Sequence, residues 1–585
     1  MTRAARILAD LKVGLYRILA DLKVGLYRMG ESGRPDLKVG LYLLAIVVGA
    51  ASLGAQTRAV TSDRILKAAA EPQNWLTYSG NYNGQRYSLL DQIPPANVKN
   101  LDLQWVFQVR SLGAADKFEA TPIVVDGIMY TVSPPNDVVA LDAVTGRMFW
   151  RYDHTVAPAA RVCCGRVNRG VAILGDRLFM GTIDGKVVAL NAKTGAVEWT
   201  KQIDRPEAGY SITVSPLVVK DKIILGPAGG EYGIRGYVLA LDPKDGNELW
   251  RFYTIPEPGQ PGSESWSGPA WQRGGGPIWT TGTYDPDQNL MFWGVGNPGP
   301  DWNGDGRPGD NLYTDSVIAL DPDTGKLKWH YQFTPHDEFD YDATQVPVLA
   351  DIQFNGAARK VLMLANRNGV FYVIDRTTGQ FLLAKPFTKV TWTDGWDAKG
   401  RPNRIQNPTP EGTLVYPNNQ GATNWYSPSY SPRTGLFYIP TWADTFSTYR
   451  KTPGPESVRF TEGQMFTGAF PTMALPAMVG GATNNRRPQD GYGLIQAVDP
   501  KTGTQRWAFR MDDVTDSGIL STASDLVFAG GREGYFFALD AKTGTLLWKS
   551  MVGGQVASGP MTYSVNSKQY VAVSAGNNTF VYALK

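Results

Sequence analysis

A short repeat close to Ala-Leu-Asp-x-x-Thr-Gly-x-x-x-Trp recurs along this 585-residue chain. The copies stand at 140–150, 189–199, 240–250, 319–329, 497–507 and 538–548, and a degenerate copy without the tryptophan stands at 373–383. In each copy the apolar residues end a strand, Asp-x-x-Thr-Gly forms a tight turn, and the next strand ends in a tryptophan that can stack on a neighbouring unit. The repeat therefore predicts a small antiparallel sheet that cannot bury its own faces alone.

Radial stacking of such sheets into a β-propeller buries both faces of every unit. The 64 glycines and 17 tryptophans also fit many short strands joined by tight turns. Seven copies are visible, and strand-like pieces around 425–445 indicate one eroded unit, so we predict eight blades of four antiparallel strands. Residues 101–109 and 570–584 are strand-like, and their pairing would close the ring and remove its open edge. The predicted fold is an all-β, eight-bladed propeller with tryptophan-docking repeats, formed by residues 56–585 as one domain.

Residues 1–55 are predicted to direct export and not to form part of the fold. An apolar run at 41–54 follows Arg34 and Lys38 and ends in small residues, which is typical of a secretory signal peptide cleaved near Ala55. The run is short for a membrane span, so we expect no stable membrane insertion, with a retained anchor as the alternative. The heptapeptide DLKVGLY occurs three times within 1–55, and no function is apparent for it.

The cysteine and histidine content excludes several kinds of site. The two cysteines are adjacent, at Cys163 and Cys164, and no Cys-x-x-Cys-His motif exists for covalent attachment of a c-type haem. Three histidines are too few for a multi-histidine metal centre and leave little material for a Ser-His-Asp arrangement. A formal net charge of +3 gives no indication of a nucleic-acid partner.

Two acidic stretches are candidates for binding or catalysis. Four carboxylates fall within residues 337–342, and two of them, Asp340 and Asp342, would point to the same side of an extended segment. A solvated acidic loop is the alternative interpretation. Residues 301–310 begin like an EF-hand loop, but Leu312 stands where the motif requires glutamate, so we interpret them as a blade loop.

The repeat, the Cys163–Cys164 pair and the sequence VNRG at 167–170 resemble the pyrroloquinoline quinone (PQQ)-dependent alcohol dehydrogenases, which include the periplasmic methanol and ethanol dehydrogenase large subunits. The resemblance covers 71–585 and implies an eight-bladed propeller with the quinone on its axis and a metal ion beneath it. It further implies a periplasmic enzyme that oxidises a primary alcohol, such as methanol or ethanol, to the aldehyde. Electrons would pass to a separate, soluble cytochrome c, and a homodimer is one open option for the oligomeric state.

The same resemblance assigns contacts to the quinone. The adjacent cysteines would form a strained disulfide ring that covers one face of the cofactor, with two reduced thiols as the alternative. Trp279 would cover the opposite face, and Arg169 would pair with a cofactor carboxylate. The remaining implied contacts are Glu119, Thr213, Arg367 and Asn424.

Two positions depart from the family pattern. Ala228 stands where some members have a quinone-binding serine, and Asp516 stands where they have a late tryptophan. The quinone pocket is therefore expected to be similar to that of the family without being identical, and we assign no cofactor role to these two residues.

The metal ligands are likewise implied by resemblance, with Glu231, Asn297 and Asp340 matching the three protein ligands of the family. Asp340 also matches the general base that takes the alcohol proton while hydride passes to the quinone C5, and Arg367 would stabilise the charge that develops. Asp342 matches an aspartate of the lanthanide-dependent members, where calcium-dependent members have a small uncharged residue. A trivalent ion balances this added charge, so we expect a lanthanide(III) ion, with calcium as the alternative.

Two other functions remain open from the sequence. One is a calcium-dependent PQQ ethanol or broad alcohol dehydrogenase. The other is a non-enzymatic propeller of the outer-membrane assembly type, which shares the repeat and binds partners without a quinone. The second type should lack the cysteine pair, the arginine at position 169 and the set of oxygen ligands, all of which this chain has.

Overall fold

A computed structural model describes residues 59–110, 113, 116–468, 479–480 and 491–585, and Ala59–Lys585 form one compact unit. The predicted signal peptide and the DLKVGLY copies lie outside the described residues. One α-helix, α1 (Ser62–Leu66), is present in the described part, and no helix there has the length and apolar character needed to cross a membrane. Short 3-10 helices span Ala68–Ala70, Val98–Asn100, Pro206–Ala208, Gly230–Tyr232, Ser263–Ser265, Ala270–Arg273 and Pro455–Val458.

Eight antiparallel blades follow one another along the chain, after β1 (Tyr87–Ser88) and β2 (Leu101–Gln108). The first three blades are β3 (Ile123–Val125), β4 (Ile128–Ser133), β5 (Asp137–Asp142), β6 (Met148–Tyr152); β7 (Ala172–Leu174), β8 (Arg177–Gly181), β9 (Lys186–Asn191), β10 (Val197–Gln202); and β11 (Leu217–Val219), β12 (Lys222–Leu225), β13 (Tyr237–Leu241), β14 (Glu248–Tyr253). The fourth and fifth are β15 (Thr283–Asp285), β16 (Leu290–Gly294), β17 (Ser316–Leu320), β18 (Leu327–Gln332); and β19 (Val348–Phe354), β20 (Ala357–Ala365), β21 (Val370–Asp375), β22 (Phe381–Pro386).

The rest of the chain adds small accessory sheets and three blades. The accessory strands are β23 (Thr393–Trp396), β24 (Pro402–Arg404), β25 (Thr413–Val415), β28 (Phe446–Tyr449) and β29 (Val479–Gly480). The sixth blade is β26 (Ser429–Ser431), β27 (Leu436–Ala443), β30 (Tyr492–Asp499), β31 (Thr504–Met511); the seventh is β32 (Leu520–Thr522), β33 (Leu526–Gly530), β34 (Tyr535–Asp540), β35 (Leu546–Met551); the eighth holds β36 (Met561–Val565), β37 (Lys568–Ala575) and β38 (Asn578–Leu584). The strand β1 pairs in parallel with β32 at one edge of the seventh blade.

The ring is closed by the two ends of the described chain, as the sequence predicted. The strand β2 pairs antiparallel with β38, from Leu101 opposite Leu584 to Gln108 opposite Asn578, and so becomes the fourth strand of the eighth blade. No blade is therefore left with the open edge that a linear stack of sheets would expose. The predicted fold class, eight antiparallel blades in an all-β propeller, is confirmed.

The prediction of an eroded unit around 425–445 was wrong. Residues in β26 and β27 form the first hairpin of the sixth blade, whose other two strands carry the repeat copy at 497–507. The eighth blade escaped detection because its third strand, β38, and its tryptophan-bearing fourth strand, β2, lie at opposite ends of the chain. The repeat motif spans the third and fourth strands, so ring closure divides it in this one blade.

Neighbouring blades dock through the tryptophans of the repeat. Six indole N–H groups donate to a backbone carbonyl of the following blade at 3.0–3.3 Å. The pairs are Trp105–Ala143, Trp150–Ala192, Trp199–Pro243, Trp250–Pro322, Trp329–Arg376 and Trp507–Ala541. Each of these indole rings also lies over the glycine of the next copy, where a Cβ atom would come within 2.4–2.8 Å of the ring.

The turn glycine of each copy therefore meets two demands at once. Gly195 has a φ of +73°, a backbone conformation that residues with a side chain rarely adopt. A Cβ there would lie 2.5 Å from the Trp150 ring. The degenerate copy at 373–383 has no tryptophan. The turn glycine of the next copy, Gly503, therefore faces Lys385 and Leu383, whereas the turn glycines opposite the six tryptophans face an indole.

We expect Gly195→Ala to destabilise the protein by about 1–3 kcal/mol more than Gly435→Ala, because forcing a methyl against packed atoms costs that much. Gly435 is a matched control, since its φ is +69° and a Cβ there would meet nothing within 4 Å. Thermal unfolding of the two variants measures the difference. Equal losses of stability would show that the backbone conformation alone, and not the indole contact, requires glycine.

Candidate active site

A cavity of about 710 Å³, part of it open to solvent, lies where loops of six consecutive blades meet, and most of these loops precede the first strand of a blade. The fourth strands are the most exposed of their blades, which places them on the outer rim and the first strands, at the other edge of each sheet, around the propeller axis. Eleven predicted site residues line the cavity: Glu119, Cys163, Cys164, Arg169, Thr213, Glu231, Trp279, Asp340, Asp342, Arg367 and Asn424. The twelfth, Asn297, is buried directly behind Gly230, where a Cβ would lie 3.0 Å from the Asn297 Oδ1 atom.

The adjacent cysteines form the predicted disulfide at the cavity wall. The Cys164 Sγ atom lies 3.5 Å from Glu231 Oε1. This is a van der Waals contact and not a hydrogen bond, because a disulfide sulfur carries no proton. The disulfide thus borders the carboxylate that the sequence predicts as a metal ligand.

Arg169 is the centre of a buried polar cluster on the cavity wall. Its guanidinium forms an ion pair with Glu119 at 2.8 Å and donates to Thr213 Oγ1 and to the Trp279 carbonyl, each at 3.0 Å. The same guanidinium lies 4.8 Å from the centroid of the Trp279 ring, within the range of a cation–π contact. Burial raises the pKa of Glu119, and the charge of Arg169 opposes that rise. These residues come from the first four blades, so the stacking of consecutive blades assembles the cluster.

Asp340 and Asp342 converge on one guanidinium. Arg367 Nη2 donates to Asp340 Oδ2 at 2.8 Å, and Arg367 Nη1 donates to Asp342 Oδ2 at 2.5 Å. The sequence predicted an extended segment here. The structure differs, because Asp340 has a φ of 63°. The two side chains meet because the arginine, which lies between β20 and β21, reaches both of them.

Glu231 and Asn297 stand beside this pair. Glu231 lies in the 3-10 turn Gly230–Tyr232, which is flanked by left-handed glycines. The backbone N–H of Asn297 donates to Asp342 Oδ1 at 2.8 Å, so Asp342 is fixed from two directions. Gly296 must lack a side chain, because a Cβ there would lie 2.3 Å from the same Asp342 oxygen.

The carboxylates of this region repel one another. Burial raises the pKa of Glu231 to about 7, and the charge of Asp342 adds to the rise. Burial also holds the pKa of Asp340 well above its usual value, although Arg367 opposes this, and the charges of Asp342, Asp301 and Glu231 contribute to the same rise. A cation placed among these oxygens would relieve the repulsion. Buried carboxylates that raise one another's pKa are therefore typical of a metal site.

The other residues of the acidic stretch support the loop. Asp337 accepts the backbone N–H groups of Phe339 and Tyr341 at 3.1 and 2.9 Å. Glu338 pairs with Arg404 at 2.7 Å. Neither Asp337 nor Glu338 lines the cavity, so two of the four carboxylates in 337–342 face the site and two hold the backbone.

The structure adds residues that sequence reasoning missed. Ser211, Gln420 and Trp425 line the cavity, and Gln420 and Trp425 could have been found from their position beside Asn424. Asp301 was assigned to a blade loop, yet its charge acts on Asp340, and no sequence signal marks it.

Of the two departures from the family pattern, one lies in the cavity and one does not. Ala228 lines the cavity. Asp516 lies outside it, buried and paired with Arg532 at 2.9 Å.

Comparisons with known proteins agree with this geometry. The family described as PQQ, glucose/ethanol/alcohol dehydrogenase, beta-propeller domain, matches residues 75–391 and 385–571. The chain is 37% identical over 571 residues to the quinoprotein alcohol dehydrogenase PedH of Pseudomonas putida, covering 93% of this chain and 92% of that protein. It is also 37% identical over 577 residues to the putative dehydrogenase XoxF of Paracoccus denitrificans, covering 92% of each. A europium-containing methanol dehydrogenase structure superposes with a TM-score of 0.81 at 32% identity, over 89% of this chain and 100% of that chain.

The fold, the axial cavity and these matches define an oxidoreductase of the quinoprotein class. The chain belongs to the family of PQQ-dependent alcohol dehydrogenases.

We expect Arg367→Gln to lower the stability of the metal-free protein by about 3–5 kcal/mol, because it leaves two buried carboxylates without their cation. Arg401→Gln is the matched control, since Arg401 forms two hydrogen bonds with Asp310 at 2.6 and 2.7 Å but both side chains are exposed. Such an exposed pair contributes at most about 1 kcal/mol. Thermal or denaturant unfolding compares the two variants, and similar losses would contradict a structural role for Arg367 between the aspartates.

Proposed function

We propose that this protein is an exported, lanthanide-dependent quinoprotein that oxidises a primary alcohol such as methanol or ethanol to the aldehyde. The observation that carries the proposal is the cluster of Glu231, Asn297, Asp340 and Asp342 around Arg367 at the axial cavity. Every one of these four side chains offers oxygen, which is the ligand atom that hard cations require.

The rest of the cavity lining fits a planar, acidic quinone. Arg169 Nε and Trp425 Nε1 are buried donors with no hydrogen-bond partner among the described residues, and both side chains line the cavity. Buried donors are normally satisfied, so these two favour a ligand that carries carboxylates and carbonyls. PQQ is such a ligand, and the disulfide and the Trp279 ring supply flat apolar surfaces for it.

The residues of the chain divide the chemistry between them. When bound, PQQ would supply a hydride acceptor for alcohol oxidation and the metal ion would supply a Lewis acid. Asp340 takes the hydroxyl proton as general base, a role that suits a carboxyl whose pKa is raised by burial. Arg367 holds the Asp340 carboxylate in place at 2.8 Å and stabilises negative charge that develops nearby.

The choice of a lanthanide over calcium rests on Asp342. Its carboxylate is buried and adds a negative charge to a site that already contains Glu231 and Asp340. A trivalent ion compensates this charge better than a divalent ion does. The similarity to a europium-containing methanol dehydrogenase supports the same choice.

We also propose export to the periplasm and electron transfer to a separate cytochrome c. The apolar run at 41–54 supports export. The quinohaemoprotein alcohol dehydrogenase ADH IIB of Pseudomonas putida is 39% identical over 570 residues, which cover 92% of this chain and 78% of that protein. No Cys-x-x-Cys-His motif occurs in the present sequence, so a c-type haem acceptor would come from another protein.

Purified protein reconstituted with PQQ and either lanthanum or calcium should oxidise short primary alcohols in a dye-linked assay, with lanthanum giving the higher rate. Absence of activity with both metals, across short alcohols and aldehydes, would contradict the proposed reaction. A higher rate with calcium would identify the calcium-dependent type of enzyme.

Asp342→Ala should lower the lanthanum-dependent rate by at least about 100-fold, because loss of a metal-site carboxylate weakens binding and misplaces the ion. Asp310→Ala is the control, since it removes a carboxylate that pairs with Arg401 at the surface. Circular dichroism confirms that both variants are folded. Full lanthanum-dependent activity in Asp342→Ala would refute its role as a ligand.

A further inference from the structure

Trp425 lies on the cavity wall without a side-chain hydrogen bond to fix it. Its Nε1 atom is buried and has no partner among the described residues, so the orientation of the indole depends on the groups that pack against it. The Tyr426 ring lies 5.2 Å away at 68° in an edge-to-face contact, and the Lys117 Nζ atom lies 5.0 Å from the indole centroid. These two contacts therefore orient the donor that we assign to the quinone.

Tyr426 depends on packing in the same way. Its hydroxyl is buried and has no hydrogen-bond partner in the described part of the chain. Its ring stacks on Trp442 at 6.3 Å and 15°, and the two rings form a small hydrophobic cluster with Val514, which we call the aromatic cluster. Trp425 packs against this cluster, so its position is tied to that of Trp442, which is buried in β27 of the sixth blade.

Trp442 is held from the seventh blade. Its Nε1 atom donates to the Thr515 carbonyl at 2.6 Å, and the Arg532 guanidinium lies 4.8 Å from the centroid of its ring, within the range of a cation–π contact. Asp516 follows Thr515 directly and accepts from Arg532 Nε at 2.9 Å and from Arg532 Nη2 at 3.3 Å. Residues 514–516 therefore supply the aromatic cluster with an apolar side chain, a carbonyl and, through the arginine, a carboxylate.

The place of Arg532 on the cluster depends on Asp516. Asp516 is fully buried, and the hydrogen bonds of the Arg532 guanidinium within the described residues all go to it. Gln555 also donates to Asp516 but carries no charge. Loss of the carboxylate would leave a partly buried guanidinium without its counter-charge, and an arginine in that state turns its charged end toward water. Arg532 would then leave the face of the Trp442 ring.

We propose that Asp516 is a positioning residue that acts on the quinone through Trp425. Its carboxylate holds Arg532 against the Trp442 ring, and the aromatic cluster then presents the Trp425 N–H to the cavity. This inference rests on the proposed function, in which Trp425 is a donor for bound PQQ. Asp516 itself does not line the cavity, so its effect on the cofactor must pass through the indole. That dependence separates positioning from a general contribution to stability.

A double-mutant cycle with Asp516→Asn and Trp425→Phe tests the inference. Asparagine keeps the shape of the side chain and removes its charge, whereas phenylalanine keeps an aromatic ring and removes the N–H. Asp525→Asn is the matched control, since Asp525 lies in the same blade and pairs with Arg433 at 2.7 Å and with Lys542 at 2.8 Å. The measurement is the dissociation constant of PQQ, obtained by equilibrium dialysis with lanthanum and, separately, with calcium. Circular dichroism establishes that each variant is folded.

We expect Asp516→Asn to weaken PQQ binding by about 3–10-fold, the effect of one lost hydrogen bond, and Trp425→Phe to weaken it by a similar factor. The double variant should bind PQQ as weakly as Trp425→Phe alone, because the carboxylate acts only through the indole. Asp525→Asn should keep the affinity of the unmodified protein. Should Asp516→Asn not fold, Asp516→Leu combined with Arg532→Met carries the test with the same expected loss, because it leaves no unpaired charge in the interior.

Two results would overturn the inference while the proposed function stands. Unchanged PQQ affinity in the Asp516 variants, with Trp425→Phe weakened, would show that the carboxylate does not act on the cofactor. Equal weakening by Asp516→Asn with and without the Trp425 indole would show an effect that bypasses the indole. If Trp425→Phe itself bound PQQ as tightly as the unmodified protein, the cofactor contact in the proposed function would be wrong, and this inference would fail with it.

Discussion

The contact between an indole ring and a glycine turn is the interaction on which this structure depends. Six of the tryptophans in the fourth strands of the blades donate their N–H to the next blade and cover a glycine whose Cβ would collide with the ring. The glycine is needed twice, for its positive φ and for its lack of a side chain, so the turn and the docking surface are specified together. Repeated around the axis, this contact brings the loops of six blades to one cavity.

The cavity concentrates buried charge that the fold alone does not need. Asp340 and Asp342 share Arg367, and Glu231 and Asn297 stand beside them. Such an arrangement costs stability unless a cation completes it, which is why its presence points to metal chemistry and not to structural ion pairing. The rest of the cavity lining differs in character, since Arg169 and Trp425 present donors and Trp279 and the disulfide present flat apolar surfaces. The two sets of residues together match an acidic planar cofactor and a hard metal ion.

Sequence reasoning was accurate where a signal was local. The spacing of aspartate, glycine and tryptophan within eleven residues predicted the strands, the turns and the docking contacts, and the family motifs placed eleven of twelve predicted site residues at one cavity. It failed for the eighth blade, because ring closure puts the two halves of that blade's motif at opposite ends of the chain. It also counted the sixth blade as two units, because an insertion separates β27 from β30.

The sequence by itself determined the repeating unit and the residue types of the site, because each depends on side chains close together in the chain. Only the tertiary structure decided which charges meet. It brought Arg367 to both aspartates, although the positive φ of Asp340 interrupts the extended segment that the sequence predicted. It also buried Asp301, whose Oδ1 atom has no hydrogen-bond partner among the described residues, in a loop whose sequence suggested nothing more than a turn. Arg367 and the two aspartates lie in separate loops of the fifth blade, and the distance between these loops is set by how the strands of the blade pair and not by spacing along the chain.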